Sequence, residues 1–439
     1  MISIIDAMSD VNLFGPWVSG SSWDSWRTFL KSLFALPLTK AERALYEQCT
    51  GRSTRPREPA RESWLICGRR SGKSFISALV AVYLACFRSY EQYLTAGERG
   101  VVMIIASDRR QAKIIFGYIV ALLEGIPLLA QMIERRTAES VALSNSIVLE
   151  VHTASFRSTR GYSILAAILD EVAFWRVEGS ASPDSEIIAA VRPGMAAVPG
   201  SLLLALSSPY AQRGALWAAY RKHWAKADDP VLVWQAPSLL MNPTLDTTVI
   251  HQAFEEDPVT AATEWNAIFR SDLEALFRRE VVEGLVIPGR YELPPQPNTQ
   301  YVGFVDPSGG SADAMTLCIA HGEQGRAVLD CLRVRRPPFD PDITVREFSE
   351  TLKQYGLYQV SGDKYGGAWP SERFRAHGVN YAPSTRTKSE IYLESVARLN
   401  SGQVELLDDP RLVAELCQLE RRTGHPPRQR HRGSPTGGA

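Results

Sequence analysis

The sequence predicts an α/β protein of two successive domains joined by a proline-rich connector. Three observations point to it. Between residues 61 and 226, apolar runs of strand length alternate with longer helical segments, the pattern of a mainly parallel sheet with helices on both faces. A glycine turn ending in Lys73-Ser74 separates one such run from a long apolar helix. A fresh series of strands opens at Tyr301, after a stretch with prolines at 230, 237, 243, 258, 288, 294, 295 and 297.

Composition narrows the classes. The chain has 439 residues, enough for two or three domains, with 45% hydrophobic and 22% charged residues. These values are ordinary for a soluble globular protein. The 48 basic and 48 acidic residues cancel, so contact with nucleic acid has to come from a local patch. The six cysteines show no Cys-x-x-Cys pairing and no His/Cys ligand spacing. That argues against a zinc site or disulfide framework and fits a reducing cytoplasm. Cys67, Cys86 and Cys318 lie in apolar runs and read as buried thiols. No secretory signal opens the chain, and its longest apolar run, Phe75–Phe87, is too short to span a bilayer. No membrane partner is expected.

In chain order, residues 1–60 form an N-terminal helical region. Thr39, with Glu42 three residues on, is a capping box opening a helix through Gln48. Gln48 is the polar candidate for an adenine contact ahead of the loop; the alternative is a packing helix with an exposed glutamine. The linker Arg55-Pro56-Arg57-Glu58-Pro59 leads to a buried strand, Trp64–Cys67, and then to Gly68-Arg69-Arg70-Ser71-Gly72-Lys73-Ser74. Strand, glycine turn, Lys-Ser and helix are the parts of a phosphate-binding loop. Backbone N–H groups and a helix N-terminus face a polyphosphate such as that of ATP, the lysine reaches the β/γ-phosphates and the Ser74 hydroxyl ligates Mg²⁺. The spacing is irregular: the common pattern has glycine where Cys67 stands. A chance Gly-Lys-Ser turn is the competing explanation.

Strands follow at Gly100–Ala106, Ser146–His152, Ile164–Leu169 and Ser201–Leu206. The third ends in Asp170-Glu171. A buried strand delivering two adjacent carboxylates suits nucleotide hydrolysis: Asp170 can hold Mg²⁺ through water, and Glu171 can orient the attacking water. Arg157 and Arg160 flank a turn just upstream, placed either to stabilise charge on a transferring phosphoryl group, including one in a neighbouring subunit, or as plain surface arginines. Ser207-Ser208-Pro209 closes the next strand and could sense the γ-phosphate, or simply stop the strand. Residues 61–226 thus read as a P-loop ATPase domain. Residues 227–297 read as a connector with a helical element around Ile250–Phe269.

The second domain, 298–422, has strands at Tyr301–Asp306, Asp313–Ala320 and Arg326–Leu332, a helix around Ile343–Tyr355, and a strand Tyr358–Asp363. Three hairpin-linked strands, a helix and a strand carrying a second aspartate resemble the ribonuclease H-like nuclease fold. Asp306 and Asp363, on strand ends, could share two Mg²⁺ or Mn²⁺ ions for phosphodiester cleavage.

This order of parts resembles the large terminase subunit of tailed phages, in a version carried by prophages. The similarity runs from Leu36 to Thr423. It is carried by the irregular loop Gly68–Ser74, by Arg157-Ser158-Thr159-Arg160-Gly161, by Leu169–Trp175, by Ser207–Tyr210, by Asp306–Gly310 and by Ser361-Gly362-Asp363. The resemblance implies a DNA-packaging ATPase joined to a ribonuclease H-like endonuclease. Gly68, Arg69, Arg70, Ser71, Gly72, Lys73 and Ser74 would bind ATP and Mg²⁺, with Asp170 at the metal and Glu171 as catalytic base. An arginine near 157–160 would act between subunits of a homo-oligomeric ring. Ser207, Ser208 and Pro209 would couple hydrolysis to motion, and Asp306 and Asp363 would hold the nuclease metals. Implied partners are double-stranded DNA, a small terminase subunit and a portal or procapsid, in the cytoplasm of a bacterial host.

One departure stands out. The family completes its nuclease site with a third carboxylate on a C-terminal helix. Here a helix at Leu412–Arg422 is followed by a basic, Gly/Pro-containing stretch, 423–439, with no Asp or Glu after Glu420. That stretch reads as disordered, as if the frame had changed or the chain been cut short. Asp408 and Asp409 lie nearby but read as helix caps. The expectation is an intact ATPase with an impaired nuclease; the alternatives are a non-functional prophage remnant or another P-loop ATPase-nuclease acting on DNA.

Overall fold

A computed structural model describes residues 2–154, 161–175, 183–311, 313–364 and 367–422. They form two compact units, one built mainly from residues up to 274 and the other from 275 to 421. The expected arginines Arg157 and Arg160, and the expected basic tail 423–439, lie outside the described residues.

The first unit is organised by an eight-stranded sheet of β1 (Glu62–Cys67), β2 (Gly100–Ala106), β3 (Ile133–Arg136), β4 (Ser140–Leu143), β5 (Ile147–Thr153), β6 (Ser163–Asp170), β7 (Leu202–Ser207) and β8 (Val231–Ala236), in the order β3-β4-β5-β2-β6-β7-β1-β8. Every pairing from β5 to β8 is parallel, and only the β3–β4–β5 edge is antiparallel. Successive residues of β1 feed opposite faces: Leu65 and Cys67 enter one apolar core, Trp64 and Ile66 the other. A strand buried on both faces has no polar alternation, which is why these strands read as continuous apolar runs. The helix Lys73–Phe87 is buried along most of its length and accordingly apolar all round. The capping box at Thr39 is present, opening the helix Lys40–Thr50.

Three elements depart from expectation. β8 lies inside the expected connector, yet pairs along its length with β1. Its flanking prolines, Pro230 and Pro237, bracket the strand without entering it, so no ladder hydrogen bond is lost. The first unit therefore runs on past residue 226, to 274. The expected helix Ile250–Phe269 is two helices, Thr247–Glu256 and Pro258–Asn266, broken at Asp257, whose carboxylate caps the second. β3 is short and largely exposed, so it leaves no apolar signature. Leu273–Ala275 forms a short strand, β9, where the chain passes to the second unit.

The second unit holds β10 (Tyr301–Asp306), β11 (Met315–Glu323), β12 (Arg326–Arg335), β13 (Gln359–Gly362), β14 (Asn380–Pro383) and β15 (Val404–Glu405), ordered β14-β13-β10-β11-β12-β15. β10, β11 and β12 form an antiparallel meander, while β13 pairs in parallel with β10 and with β14. The helix Pro341–Gln354 connects β12 to β13 and buries Val345, Phe348 and Leu352 in this unit's core. Meander, helix and parallel strand are the parts expected from the sequence. Val305 is in register with Gly362, so the next residues, Asp306 and Asp363, leave adjacent strand ends together. No helix among the described residues is long and apolar enough to cross a membrane.

Candidate functional site

The glycine loop leaves the C-terminal end of β1 and is held from outside by its own unit. The Ser238 hydroxyl donates to the Arg69 carbonyl at 2.7 Å, the Asn242 amide to that of Arg70 at 2.9 Å, and the Trp26 indole N–H to that of Ser71 at 2.9 Å. Three successive carbonyls are thereby engaged, while the first-turn N–H groups of the helix at Lys73 have no intrahelical acceptor. This is the polarity an anion needs.

The irregular glycine spacing has a packing cause. A Cβ at Gly68 would lie 2.2 Å from the Ser238 hydroxyl and 2.7 Å from the carbonyls of Glu264 and Trp265. The loop presses backbone against backbone at 68, so glycine is required there. Arg69 reinforces the contact: its N–H donates to the Glu264 carbonyl at 2.6 Å, and its guanidinium meets Glu264 Oε1 at 3.1 Å. Gly72 is required for a second reason, a left-handed φ of +96° that costs a Cβ-bearing residue strain.

Lys73 is 6% exposed, and its ammonium is already engaged. Nζ lies 3.1 Å from Glu171 Oε1 and donates to the Ser208 hydroxyl at 3.1 Å. The other carboxylate oxygen of Glu171 accepts from the Ser208 N–H at 3.0 Å and the Ser207 hydroxyl at 3.1 Å. Glu171 has φ +48°, an uncommon conformation for a residue other than glycine. It turns the chain out of β6 and directs the carboxylate across to the end of β7. The structure thus brings Lys73, Glu171, Ser207 and Ser208 into one hydrogen-bonded group, with Pro209 buried just beyond.

Asp170 is 3% exposed, and its Oδ1 meets no donor. Burial and the adjacent Glu171 charge push its carboxyl up to about 7, against the pull of Lys73, the Glu171 backbone N–H and the Gln111 side chain. A buried carboxylate oxygen without a partner is costly and fits a cation. Ser74, partly exposed on the first turn of the loop helix, offers a hydroxyl. These residues suit a divalent ion brought in with a polyphosphate.

Gln48 is not brought to the loop. It is exposed on the last turn of its helix, and that helix end is tied to the start of β8: Ala225 N–H donates to the Thr50 carbonyl and the Arg52 guanidinium to that of Val231. The loop leaves β1 opposite Ala236, the other end of β8, about 16 Å away by strand rise. Helix and loop are close in sequence but sit at opposite ends of the sheet. The groups that do shape the loop, Trp26, Ser238, Asn242 and Glu264, are remote in sequence and carry no local signal.

In the second unit the structure brings Asp306 and Asp363 together and adds Lys388, first residue of the helix Lys388–Asn400. Its ammonium lies 3.2 and 3.1 Å from the two Asp306 oxygens and 3.3 Å from Asp363 Oδ2. Asp363 Oδ1 accepts from the Lys364 N–H at 2.9 Å. Asp408 accepts from the Gly289 N–H at 2.8 Å, and Asp409 caps the helix Pro410–Gln418. Both follow β15, which pairs with Ala327 and Val328 at the far end of the sheet from Asp306. Neither joins the aspartate pair. Among the described residues no group of three or more His, Cys, Asp or Glu side chains is placed to hold a metal ion, so this pair does not fit a two-metal centre.

No protein-family model matches the chain, and no curated protein matches it. Among solved structures it is similar to the HK97 bacteriophage large terminase, at 17% identity over 79% of this chain and 81% of that one, with a TM-score of 0.39. It is also similar to the large terminase from the thermophilic bacteriophage D6E in complex with ADP, at 12% identity over 85% and 88%, with a TM-score of 0.37. A third similar structure is the large terminase nuclease from thermophilic phage G20c with bound zinc, at 18% identity over 33% and 88%, with a TM-score of 0.29.

Proposed function

We propose that this chain is a large terminase subunit: an ATPase whose hydrolysis cycle drives double-stranded DNA into a phage procapsid. The observation that carries the proposal is the hydrogen-bonded group of Lys73, Glu171 and Ser208 between the phosphate-type loop and the ends of β6 and β7. An incoming polyphosphate competes for the Lys73 ammonium. Once Lys73 turns to it, Glu171 Oε1 is released to accept a hydrogen bond from the attacking water, while Oε2 stays fixed by Ser207 and Ser208. Bound Mg²⁺, held by the Ser74 hydroxyl and through water by Asp170, would neutralise charge on the phosphate oxygens. Ser208 touches both Lys73 and Glu171, so loss of the γ-phosphate changes its partners. That makes Ser207-Ser208-Pro209 the coupling segment.

The wider assembly belongs to the same proposal. A ring of identical subunits lets Arg157 or Arg160 of one act on the nucleotide of the next. Contacts to DNA are to phosphates, tolerant of sequence and weakened by salt. A small terminase subunit and a portal are the protein partners, and the bacterial host cytoplasm is the site of action. The family's endonuclease activity is impaired in this chain, whose second unit brings together two carboxylates among the described residues where that activity uses three.

ATP hydrolysis by the purified full chain, with and without double-stranded DNA, tests this. DNA-stimulated turnover abolished by Lys73→Ala and by Glu171→Gln is expected. No turnover in the unaltered chain, even with DNA and partner subunits present, would overturn it in favour of an inactive remnant.

A further inference from the structure

Every carboxylate oxygen of the aspartate pair in the second unit meets a donor. Asp306 and Asp363 offer four carboxylate oxygens. Three are within 3.1–3.3 Å of the Lys388 ammonium, and the fourth accepts the Lys364 N–H. We propose that Lys388 is a resident counter-cation of this pair, occupying the position a divalent ion would need and keeping the pair metal-free.

The fold delivers the lysine to that place. Ser384 N–H donates to the Gly362 carbonyl at 2.7 Å, which anchors the segment after β14 beside the strand end carrying Asp363. A turn follows, in which Ser384 accepts from Arg386 N–H. Thr387 then opens the helix with a capping box, accepting from Glu390 N–H while Glu390 accepts from Thr387 N–H at 2.7 Å. Lys388 is the first helical residue after that box. On the other side, the Tyr381 hydroxyl donates to the Asp363 carbonyl at 2.6 Å and fixes the aspartate's backbone. The other charged groups on the segment are committed elsewhere: Arg386 pairs with Glu394, and Glu390 serves its cap.

Charge decides the consequence. Two carboxylates and one ammonium leave the pair with a single net negative charge. A divalent ion arriving there meets a positive charge at contact distance and finds, among the described residues, no third carboxylate to offset it. Lys388 is about half exposed, so its ion pairs are individually weak. It does not need to be tightly held: while it is present, an entering ion has to displace it or bear its repulsion. Removing the ammonium raises the net charge to −2, and replacing it by a carboxylate raises it to −3 and supplies a third ligand.

The inference concerns the second unit alone and does not depend on the ATPase proposal. Its test is Mn²⁺ titration of the nucleotide-free full chain, with free ion followed by electron paramagnetic resonance. The proteins are the unaltered chain, Asp306→Asn, Lys388→Gln, Lys388→Glu and the double variant Lys388→Glu/Asp306→Asn. Any Mn²⁺ held near Asp170 contributes equally to all five and cancels in the comparison. The unaltered chain and Asp306→Asn are expected to titrate alike through millimolar Mn²⁺. Lys388→Gln is expected to gain an Asp306-dependent site, and Lys388→Glu to bind at least tenfold more tightly than Lys388→Gln. The double variant is expected to lose that site. Asp306-dependent binding in the unaltered chain as tight as in Lys388→Gln would overturn the inference. So would no gain in either lysine variant with melting temperatures near that of the unaltered protein. ATP turnover reports separately on the first unit.

Discussion

Ser207→Ala isolates the positioning of Glu171 from nucleotide binding. Ser207 is fully buried, and its hydroxyl lies 3.1 Å from Glu171 Oε2 and 2.7 Å from the Ser208 carbonyl, while accepting from Ala173 N–H at 3.3 Å. Removing it leaves the Ser208 N–H as the anchor for that carboxylate oxygen. A hydrogen bond to a charged group contributes about 1.5–3 kcal/mol. The one hydroxyl proton is shared with the Ser208 carbonyl, so the lower end applies, and about 1.5 kcal/mol corresponds to about a tenfold fall in rate. The expected result is a kcat for ATP reduced about tenfold with KM changed less than about twofold, because Ser207 touches Glu171, the proposed base, and not the loop. The unpaired Ala173 N–H costs on the order of 1 kcal/mol, a fall in melting temperature of about 2–4 °C. An unchanged kcat in folded protein refutes the positioning role. A loss confined to KM shows that Ser207 serves binding instead.

Three further outcomes follow from local geometry. Gly68→Ala forces a Cβ to within 2.2 Å of the Ser238 hydroxyl and 2.7 Å of two carbonyls; it should cost about 1–3 kcal/mol, seen as a lowered melting temperature that ADP no longer raises. Gly362→Ala brings a Cβ to 2.2 Å from the Tyr381 hydroxyl, so hydrogen exchange should quicken in β13 and β14 while β1 keeps its protection. Burial pushes the Asp229 carboxyl up, but hydrogen bonds from His223 and the Val231 N–H outweigh it and hold the group below its usual value. Its contribution to stability is therefore present above the unfolded pKa, about 3.9, and lost as pH falls through the lower folded value. Asp229→Asn should then depress the melting temperature at pH 6 and have much less effect at pH 3.

The parts of the first unit that sequence reveals are those whose burial is one-dimensional. β2, β6 and β7 carry uninterrupted apolar runs because both faces are covered, and Asp170-Glu171 stands out because charge follows directly on such a run. β8 is equally buried at Leu232, Val233 and Trp234, yet its bracketing prolines disguise it as connector. Gln48 fails for a different reason: the chain between it and the loop runs the whole length of β1, so nearness in sequence becomes separation in space. The loop's odd glycine spacing had no explanation in sequence. Its cause, the backbone of Glu264 and Trp265 against Gly68, lies nearly 200 residues downstream. Lys388 gives no signal at all, since a lysine after a threonine cap is an ordinary helix start until Asp306 and Asp363 are placed beside it.

The two acidic sites differ in what they lack, and that difference bears on what each can do. At Asp170 a carboxylate oxygen is buried without a donor, and the one nearby ammonium, Lys73, is bound to Glu171 and Ser208 instead. Its electrostatic need is unmet, which favours an incoming cation and raises the carboxyl's affinity for a proton when none arrives. At Asp306 and Asp363 the carboxylates are partly exposed and every oxygen has a donor. Little is gained there by admitting an ion that must first evict a lysine. The two acidic sites are thus distinguished in this chain by side-chain charge alone. A single exchange at residue 388 should alter metal binding in the second unit and leave ATP turnover by the first unit within about twofold, since the groups that Lys388 meets, Asp306 and Asp363, both belong to the second unit.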